Sequence, residues 1–175
     1  MKPSESSVPL SIHVRPDYGA PMPTTVIKFY GRHDECGCFS NFTHAPFRLN
    51  GKTWPTVEHY FQAQKFPDTA YEEAIRQAKS PAKAKAMGRS RKYRLRRDWE
   101  RVKDAIMREA VLAKFTQCAD LRVVLLGTDD AILVENSPTD DYWGCGAHGG
   151  GKNKLGLILM SVRDELRAQE QQQQQ

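Results

Sequence analysis

The chain has 175 residues, of which 39% are hydrophobic and 27% are charged, and its formal net charge is +5. This composition is typical of one globular domain, and no apolar run is long enough for a membrane-spanning helix. The first residues lack the charged start and apolar block of a secretory signal, so we expect an intracellular protein, cytoplasmic or nuclear.

The positive charge is concentrated in one window of the chain. Residues 76–108 contain 13 of the 26 Lys and Arg residues and only three acidic residues, so the window carries +10 and the remainder −5. Such a window attracts the phosphates of a nucleotide or of a nucleic acid. A solvated helical face without a partner gives the same pattern, so the charge alone leaves the partner open.

The cysteine pattern argues against a metal site. Cys36-Gly37-Cys38 is tighter than the usual zinc spacing, and no second pair follows it. His33 and His44 lie nearby, but thiols in a reducing compartment are the favoured interpretation. We therefore expect no metal and no cofactor.

The N-terminal part predicts a tail followed by short strands. Residues 1–25 are rich in Ser and Pro and predict a disordered tail. Val26–Tyr30 has the residue types of a strand. Asn50-Gly51 separates Phe47–Leu49 from Lys52–Trp54 and predicts a tight hairpin turn, because both turn residues tolerate positive φ.

The stretch Trp54–Phe66 predicts a helix with Pro55 near its first turn. Helical spacing places a carboxylate, an aromatic ring, an amide and an ammonium group on one face: Glu58, Phe61, Gln62 and Lys65. A face that packs into a core is normally apolar, so this face suggests a site. An amphipathic helix with solvated Glu58 and Lys65 is the alternative.

The rest of the chain is mainly helical in pattern. Asp98 and Asp120 are predicted to cap two of the helices. The predicted elements are helices at Tyr71–Ala78, Ala82–Met87, Trp99–Gln117, Leu121–Leu126 and Leu155–Leu166 and a buried strand at Ala131–Glu135. We therefore expect an α+β fold, a single compact and mostly helical domain with a few short strands at 26–168, followed by a disordered Gln-rich tail at 169–175.

Two further segments carry side chains suited to a ligand. The first is Trp99 with Lys103, and the second is Asp140 with Trp143, followed by a glycine-rich loop and then by Lys152 and Asn153. Indole rings can stack on a base, and carboxylates can bind ribose. Each also has a plainer explanation: a core tryptophan, a turn aspartate, a surface lysine. The glycine loop fits neither a Walker motif nor a Rossmann turn.

Six blocks in order resemble the NADAR family, also known through its YbiA-like members. The blocks are Phe39-Ser40-Asn41-Phe42, Gly51 to Phe66, Asp98 to Met107, Lys114-Phe115, Glu135 to Gly146, and Gly151 to Arg163. The resemblance covers residues 26 to about 166. It implies a compact, largely helical α+β domain with N-glycosidase activity, and Glu58, Trp99, Asp140 and Trp143 match the family's functional positions.

We therefore predict an enzyme that hydrolyses a ribose C1–N bond. Glu58 would bind the ribose and Asp140 would be the second acid, with Lys65 or Lys103 assisting the leaving nitrogen or forming an imine with the opened sugar. The remaining predicted substrate contacts are Asn41, Phe42, Gln62, Trp99, Trp143, Gly144, Lys152 and Asn153.

The resemblance implies an ADP-ribosylated nucleobase, in DNA or in a nucleotide, as one kind of substrate. We favour it because the +10 window suits several phosphates, or DNA itself, better than a monophosphate. The first alternative is a phosphorylated ribosylamino-pyrimidine of riboflavin synthesis, which the resemblance also implies. Two further alternatives are a non-catalytic module that binds ADP-ribose or NAD, and a basic nucleic-acid-binding protein without a pocket. No membrane partner is expected.

Overall fold

The computed structural model describes residues 25–31 and 36–173. The predicted N-terminal tail therefore lies, apart from Thr25, outside the described residues. Within them the elements are β1 (Val26–Phe29), a 3-10 turn (Gly37–Phe39), β2 (Phe47–Leu49), β3 (Lys52–Trp54), α1 (Val57–Ala63), α2 (Ala70–Arg76), α3 (Pro81–Gly88), α4 (Trp99–Gln117), α5 (Ala119–Leu126), β4 (Ile132–Glu135) and α6 (Lys154–Gln173). None of these helices is both long and apolar enough to cross a lipid bilayer.

The four strands form two separate pairs. β2 and β3 are antiparallel, and the turn residues Asn50 and Gly51 have φ values of 52° and 74°, which confirms the predicted hairpin. β1 and β4 are parallel, with Val26 opposite Ile132 and Phe29 opposite Glu135. The sequence did not indicate this second pairing, which joins segments about a hundred residues apart and ends β4 beside the site.

Helix α1 lies at the centre of the fold, in contact with α2, α3 and α4. All seven of its residues are buried. Thr56 caps the helix, because its hydroxyl accepts a hydrogen bond from the backbone N–H of His59 at 3.2 Å. Pro55 lies near the first turn, as predicted, directly before the cap, but the helix is shorter than the predicted stretch Trp54–Phe66, and Lys65 lies just beyond its end.

Asp98 occupies the predicted N-cap position of α4, whereas the prediction that Asp120 caps α5 is wrong. Asp98 precedes α4 but makes no capping bond, because its carboxylate pairs with Arg96 at 2.7 Å and Arg101 at 3.3 Å. Asp120 lies within the first turn of α5, which begins one residue after Cys118. Both carboxylates still lie at the positive end of a helix dipole.

Helix α6 continues past the predicted boundary at 168. Its apolar stripe is buried as predicted, at Leu155, Leu159, Val162 and Leu166. The segment from 169 to 173, predicted to be disordered, is helical, because Gln and Glu are good helix formers and no Gly or Pro interrupts them. Glu170 also pairs with Arg122 of α5 at 3.1 Å, which holds this last part of the helix to the domain.

Candidate active site

A pocket of about 290 Å³ opens where α1, α3, α4, the end of β4 and the loop after the 3-10 turn meet. We call it the carboxylate pocket. Its wall includes nine of the twelve predicted site residues, namely Asn41, Phe42, Glu58, Gln62, Lys65, Trp99, Lys103, Asp140 and Trp143. Residues from four distant parts of the chain therefore meet around one cavity, while their chemical roles stay predictions.

Glu58 is buried in the wall of this pocket, with 5% of its surface exposed. Gln62 Nε2 donates a hydrogen bond to Glu58 Oε1 at 2.8 Å, as expected for residues four apart on a helix. Burial raises the pKa of Glu58, whereas the bond from Gln62 and the positive charges of Lys85, Lys65 and Arg89 lower it. The net shift of this pKa is upward, because burial outweighs the hydrogen bond and the three positive charges.

Lys65 lies on the same side of the pocket. Its Nζ donates to the carbonyl oxygen of Gly88 at 3.3 Å and lies 5.4 Å from the ring centroid of Trp99. Burial lowers the pKa of Lys65 to about 8, although the negative charge of Glu58 opposes this shift. A lysine with this pKa is partly a neutral amine near physiological pH, which is the form that can act as a nucleophile.

Three aromatic rings form one wall of the pocket. Phe61 lies between the two indoles, with its ring centroid 4.9 Å from that of Trp99 and 5.2 Å from that of Trp143. Trp99 is buried and Trp143 is half-buried, so both rings belong to the core and also border the cavity. The interpretation as core tryptophans and the interpretation as ligand contacts are therefore compatible.

Asp140 has a structural function as well as a position in the wall. Its Oδ1 accepts hydrogen bonds from the backbone N–H groups of Tyr142 at 3.0 Å and Trp143 at 2.7 Å. This is the turn geometry that short acidic side chains favour, and it fixes the loop that carries the second indole. One oxygen of Asp140 is thus occupied by the backbone.

Lys103 is engaged by its neighbours. Its ammonium group pairs with Glu100 and lies 3.9 Å from the ring centroid of Tyr142. Lys103 is thus a less suitable participant in chemistry than Lys65.

The chain matches the NADAR domain over residues 28–167. It belongs to the NADAR family.

Known proteins that resemble this NADAR chain include N-glycosidases. N-glycosidase YbiA of Escherichia coli (strain K12) is 54% identical over 145 residues, which cover 83% of this chain and 91% of YbiA. The NMR structure of YbiA matches with a TM-score of 0.79 at 52% identity, covering 85% of this chain and 89% of that chain. This similarity confirms the predicted α+β fold.

Two further relatives extend the comparison. An N-glycosidase of Nostoc punctiforme is 54% identical over 144 residues, covering 81% of this chain and 92% of that protein. A riboflavin biosynthesis protein of Vibrio vulnificus is 40% identical over 140 residues, covering 80% of this chain but 38% of that larger protein.

The three remaining predicted residues lie outside the pocket of the NADAR domain. Asn153, with φ of 47°, accepts a hydrogen bond from Glu135 N at 2.9 Å and donates one to Leu133 O at 2.8 Å. Gly144 packs so closely on the backbone of β4 that an added Cβ would lie 2.8 Å from Glu135 O. Lys152 Nζ lies 5.1 Å from the ring centroid of Tyr142. None of the three lines the pocket, and Asn153 and Gly144 support β4.

Glu135 is the main residue that the sequence analysis did not assign to the site. It ends β4 and lines the pocket, and its Oε2 is buried without a hydrogen-bond partner among the described residues. Burial, reinforced by the negative charges of Asp140 and Glu58, raises the pKa of Glu135 to about 7. Its position in the family motif, two residues before Ser137, was the available signal.

Lys114 is a second unassigned residue, and it holds the loop on one side of the pocket. Its Nζ donates to the carbonyl oxygens of Cys38 at 2.6 Å and Ser40 at 3.1 Å. The side chain is almost fully buried, and burial lowers its pKa to about 8. A buried cation between two carbonyls fixes the loop that presents Asn41 and Phe42, so Lys114 positions residues of the site.

Proposed function

We propose that this chain hydrolyses the bond between ribose C1 and the nitrogen of a phosphorylated ribosylamino heterocycle, of which a ribosylamino-pyrimidine is the best candidate. The chain is an N-glycosidase, as are its relatives of similar length. The observation that carries the proposal is the meeting of Glu58, Glu135 and Asp140 around a pocket walled by two indoles. Its volume of about 290 Å³ suits a small ribosylated metabolite, and the Vibrio relative supports riboflavin intermediates.

The charges of the pocket fit the reaction. As the C1–N bond breaks, its electron pair goes to the nitrogen and positive charge develops on the sugar, where the carboxylates of Glu58 and Asp140 stabilise it. Glu135, with a pKa of about 7, gives its proton to the leaving nitrogen. Trp99 and Trp143 hold the heterocycle.

Lys65 completes the scheme. After the heterocycle has left, the neutral amine attacks C1 of the cationic sugar and loses a proton. The C1–O bond of the ring then breaks, the ring oxygen takes up a proton, and an imine joins Lys65 to the opened sugar. Water then adds to the imine carbon, which releases the aldehyde form of the sugar phosphate and restores the lysine. Each step exchanges one bond at C1, and the only other reactants are water and protons.

Replacing Glu58 by Gln tests the central assignment. We expect Glu58→Gln to lower kcat/KM on a ribosylamino-pyrimidine phosphate at least about tenfold, or about 1.4 kcal/mol of barrier, because the neutral amide cannot stabilise a cationic sugar. Asp120→Asn is the matched control, since Asp120 is exposed on α5 and lines neither this pocket nor the cavity beside it. A smaller loss at unchanged thermal stability would remove Glu58 from the mechanism.

An ADP-ribosylated nucleobase is the second candidate substrate. A larger cavity of about 580 Å³ adjoins the carboxylate pocket and shares Glu135 and Asp140 with it, so a substrate with a second nucleotide half has room. Incubation with both substrates and mass analysis of the released sugar separates them. Faster release of ribose phosphate supports the first candidate, and faster release of ADP-ribose supports the second.

A further inference from the structure

Two cations lie in the wall between the carboxylate pocket and the larger cavity beside it, which we call the α3 chamber. Lys85 is on α3 and Arg89 is its C-cap residue, so the two are four residues apart and face the same side. Both line both cavities. The Cα of Arg89 is held there by the helix, because its backbone N–H donates to Lys85 O at 3.1 Å.

These two cations differ from the other basic residues of the site. Lys65 donates to a backbone carbonyl, and Lys103 is paired with Glu100. Lys85 and Arg89 form no ion pair with any residue in the described part of the chain, and the contact of Lys85 is the ring of Phe42, 5.4 Å from Nζ. They are therefore available to an anion in the cavity.

The two joined cavities present three chemical zones in sequence. The indoles of Trp99 and Trp143 line the carboxylate pocket alone, Glu135 and Asp140 line both cavities at their junction, and the α3 chamber continues past Lys85 and Arg89. A substrate of this class has the same order of parts: an aromatic heterocycle, a ribose whose C1 reacts, and a phosphate on the far side of the ribose. The charges and the rings favour one direction along this path, because the cations beside the indoles, Lys65 and Lys103, already bind a carbonyl oxygen and a carboxylate, whereas the α3 chamber has the two unpaired cations.

We infer that the substrate lies with its heterocycle against the indoles, C1 at the junction, and its phosphate in the α3 chamber between Lys85 and Arg89. This inference rests on the proposed function. Arg89 can bind two phosphate oxygens through its planar guanidinium group, and Lys85 adds a point charge. The same placement holds for a phosphate monoester and for the diphosphate of an ADP-ribosyl group, since both are attached to the same carbon of the ribose.

The test compares a ribosylamino-pyrimidine 5′-phosphate with the same compound lacking the phosphate. We expect the parent enzyme to favour the phosphorylated compound in kcat/KM by about 100-fold or more, as two charge-assisted contacts allow. Lys85→Met and Arg89→Gln should each lower kcat/KM for the phosphorylated compound at least about tenfold more than for the other compound, so that the preference for the phosphate falls. Lys83→Met is the matched control, because Lys83 is exposed on the same helix and lines neither cavity.

A direct binding measurement separates this inference from the proposed function. Calorimetry with ribose 5-phosphate and with ADP-ribose should give affinities that fall about tenfold or more in Lys85→Met and Arg89→Gln, while thermal unfolding stays near that of the parent. The placement of the phosphate would be overturned if Lys85→Met and Arg89→Gln lost kcat/KM equally for both compounds. It would also be overturned if these two variants bound ribose 5-phosphate and ADP-ribose as strongly as Lys83→Met does. If the parent cleaves neither compound, the proposed function fails, and the calorimetric result alone then decides whether Lys85 and Arg89 bind phosphate.

Discussion

The carboxyl group of Glu135 is poorly exposed to water and lies near the carboxylates of Asp140 and Glu58. Its pKa of about 7 lies above the 4.5 of a free glutamate because burial and the charges of Asp140 and Glu58 disfavour its ionised form. Between pH 4.5 and about 7, Glu135 is therefore mostly protonated in the folded protein and mostly ionised in the unfolded chain, so folding takes up a proton. Stability contributed by this residue falls as the pH rises from about 4.5 to 7.

We expect Glu135→Gln to stabilise the protein and to impair it as an enzyme. At pH 8 the free energy of unfolding should rise by about 1–3 kcal/mol, because the penalty of a buried charge is removed, and this gain should vanish near pH 4.5. The value of kcat/KM should fall about 100-fold, the usual contribution of a general acid. Chemical denaturation at both pH values and steady-state kinetics measure the two effects.

Asp120→Asn is again the control, and it should change stability by less than about 0.5 kcal/mol. A destabilised Glu135→Gln at pH 8 would contradict the raised pKa.

Lys65 and Glu135 together predict the pH dependence of the reaction. The scheme needs Lys65 neutral and Glu135 protonated. Below pH 7 the neutral fraction of Lys65 falls about tenfold per pH unit, and above pH 8 the protonated fraction of Glu135 falls at the same rate. The profile of kcat/KM should therefore have its maximum between pH 7 and 8.

Lys65→Arg should reduce turnover at least about 100-fold, because a guanidinium keeps the positive charge but forms no imine. With the parent enzyme, borohydride added during turnover should reduce the imine and leave a sugar phosphate on Lys65, visible as a mass increase of the peptide that contains it. Lys83→Arg provides the control on α3. Activity in Lys65→Arg close to that of the parent, with no adduct, would reduce Lys65 to an electrostatic role.

At the scale of elements, the contact between α1 and α3 sets the position of Gln62. Gly88 ends α3, and a Cβ added there would lie 2.0 Å from Gln62 Oε1 and 2.8 Å from Gln62 Cβ. Only a residue without a side chain lets the two helices approach this closely. Gln62 in turn donates to Glu58, so helix packing is coupled to the carboxylate of the site.

Gly88→Ala should therefore reduce both stability and activity. We expect a loss of about 1–3 kcal/mol in the free energy of unfolding, the usual cost of overpacking, and a raised KM as Gln62 moves away from Glu58. Thermal unfolding and kinetics measure both. Gly150→Ala is the control, since no atom lies within 4 Å of a Cβ there, and near-parental values for Gly88→Ala would mean that α3 shifts without cost.

The contact between β4 and α6 determines where Glu135 lies. Asn153 bonds the backbone at Leu133 and Glu135, and Gly156 in α6 lies so close to Leu133 O that a Cβ would be 2.1 Å away. The backbone of Glu135 is therefore held by a strand and not by a loop, which suits the proton transfer that we propose for this residue.

For the whole molecule, the positive charge is concentrated in one window of the chain, and we expect it to attract an anionic substrate. The +10 window contains Lys85 and Arg89 and also the exposed cations of the segment between α3 and α4. Long-range attraction raises the rate at which an anionic substrate arrives, and salt screens it. The same surface could attract a small phosphate compound or a nucleic acid, and the two respond differently to salt.

We expect the binding of the ribosylated metabolite to depend weakly on salt. A plot of log affinity against log salt concentration should have a slope no steeper than about −2, because a phosphate monoester carries about two charges, whereas a DNA strand that occupies the window would give about −0.7 to −0.9 per contacted phosphate. Titrations from low to moderate salt with the metabolite and with a DNA oligonucleotide measure the slopes. A slope near −5 with tight DNA binding would favour modified DNA as the substrate.

Much of the fold and of the enzyme class could be read from the sequence. The hairpin at Asn50-Gly51 and the buried stripe of α6 depend on backbone preferences and on side chains a few residues apart, so their patterns predicted them. The N-glycosidase class followed from the order of the family blocks, and the comparisons confirmed it. The ends of helices were predicted less well: α4 has its predicted bounds, but Asp120 lies inside α5 and does not cap it, and α6 continues past residue 168.

Only the tertiary structure decided which polar residues face the cavity. The parallel pairing of β1 with β4 brings Glu135 to Glu58, and the packing of α3 on α1 brings Lys85 and Arg89 to the same wall. Asn153 resembled a ligand contact in sequence, yet both of its side-chain hydrogen bonds go to β4. The sequence determined the local elements because their energies depend on near neighbours. The burial and electrostatic environment of each side chain depend on contacts between distant segments, which exist only after folding.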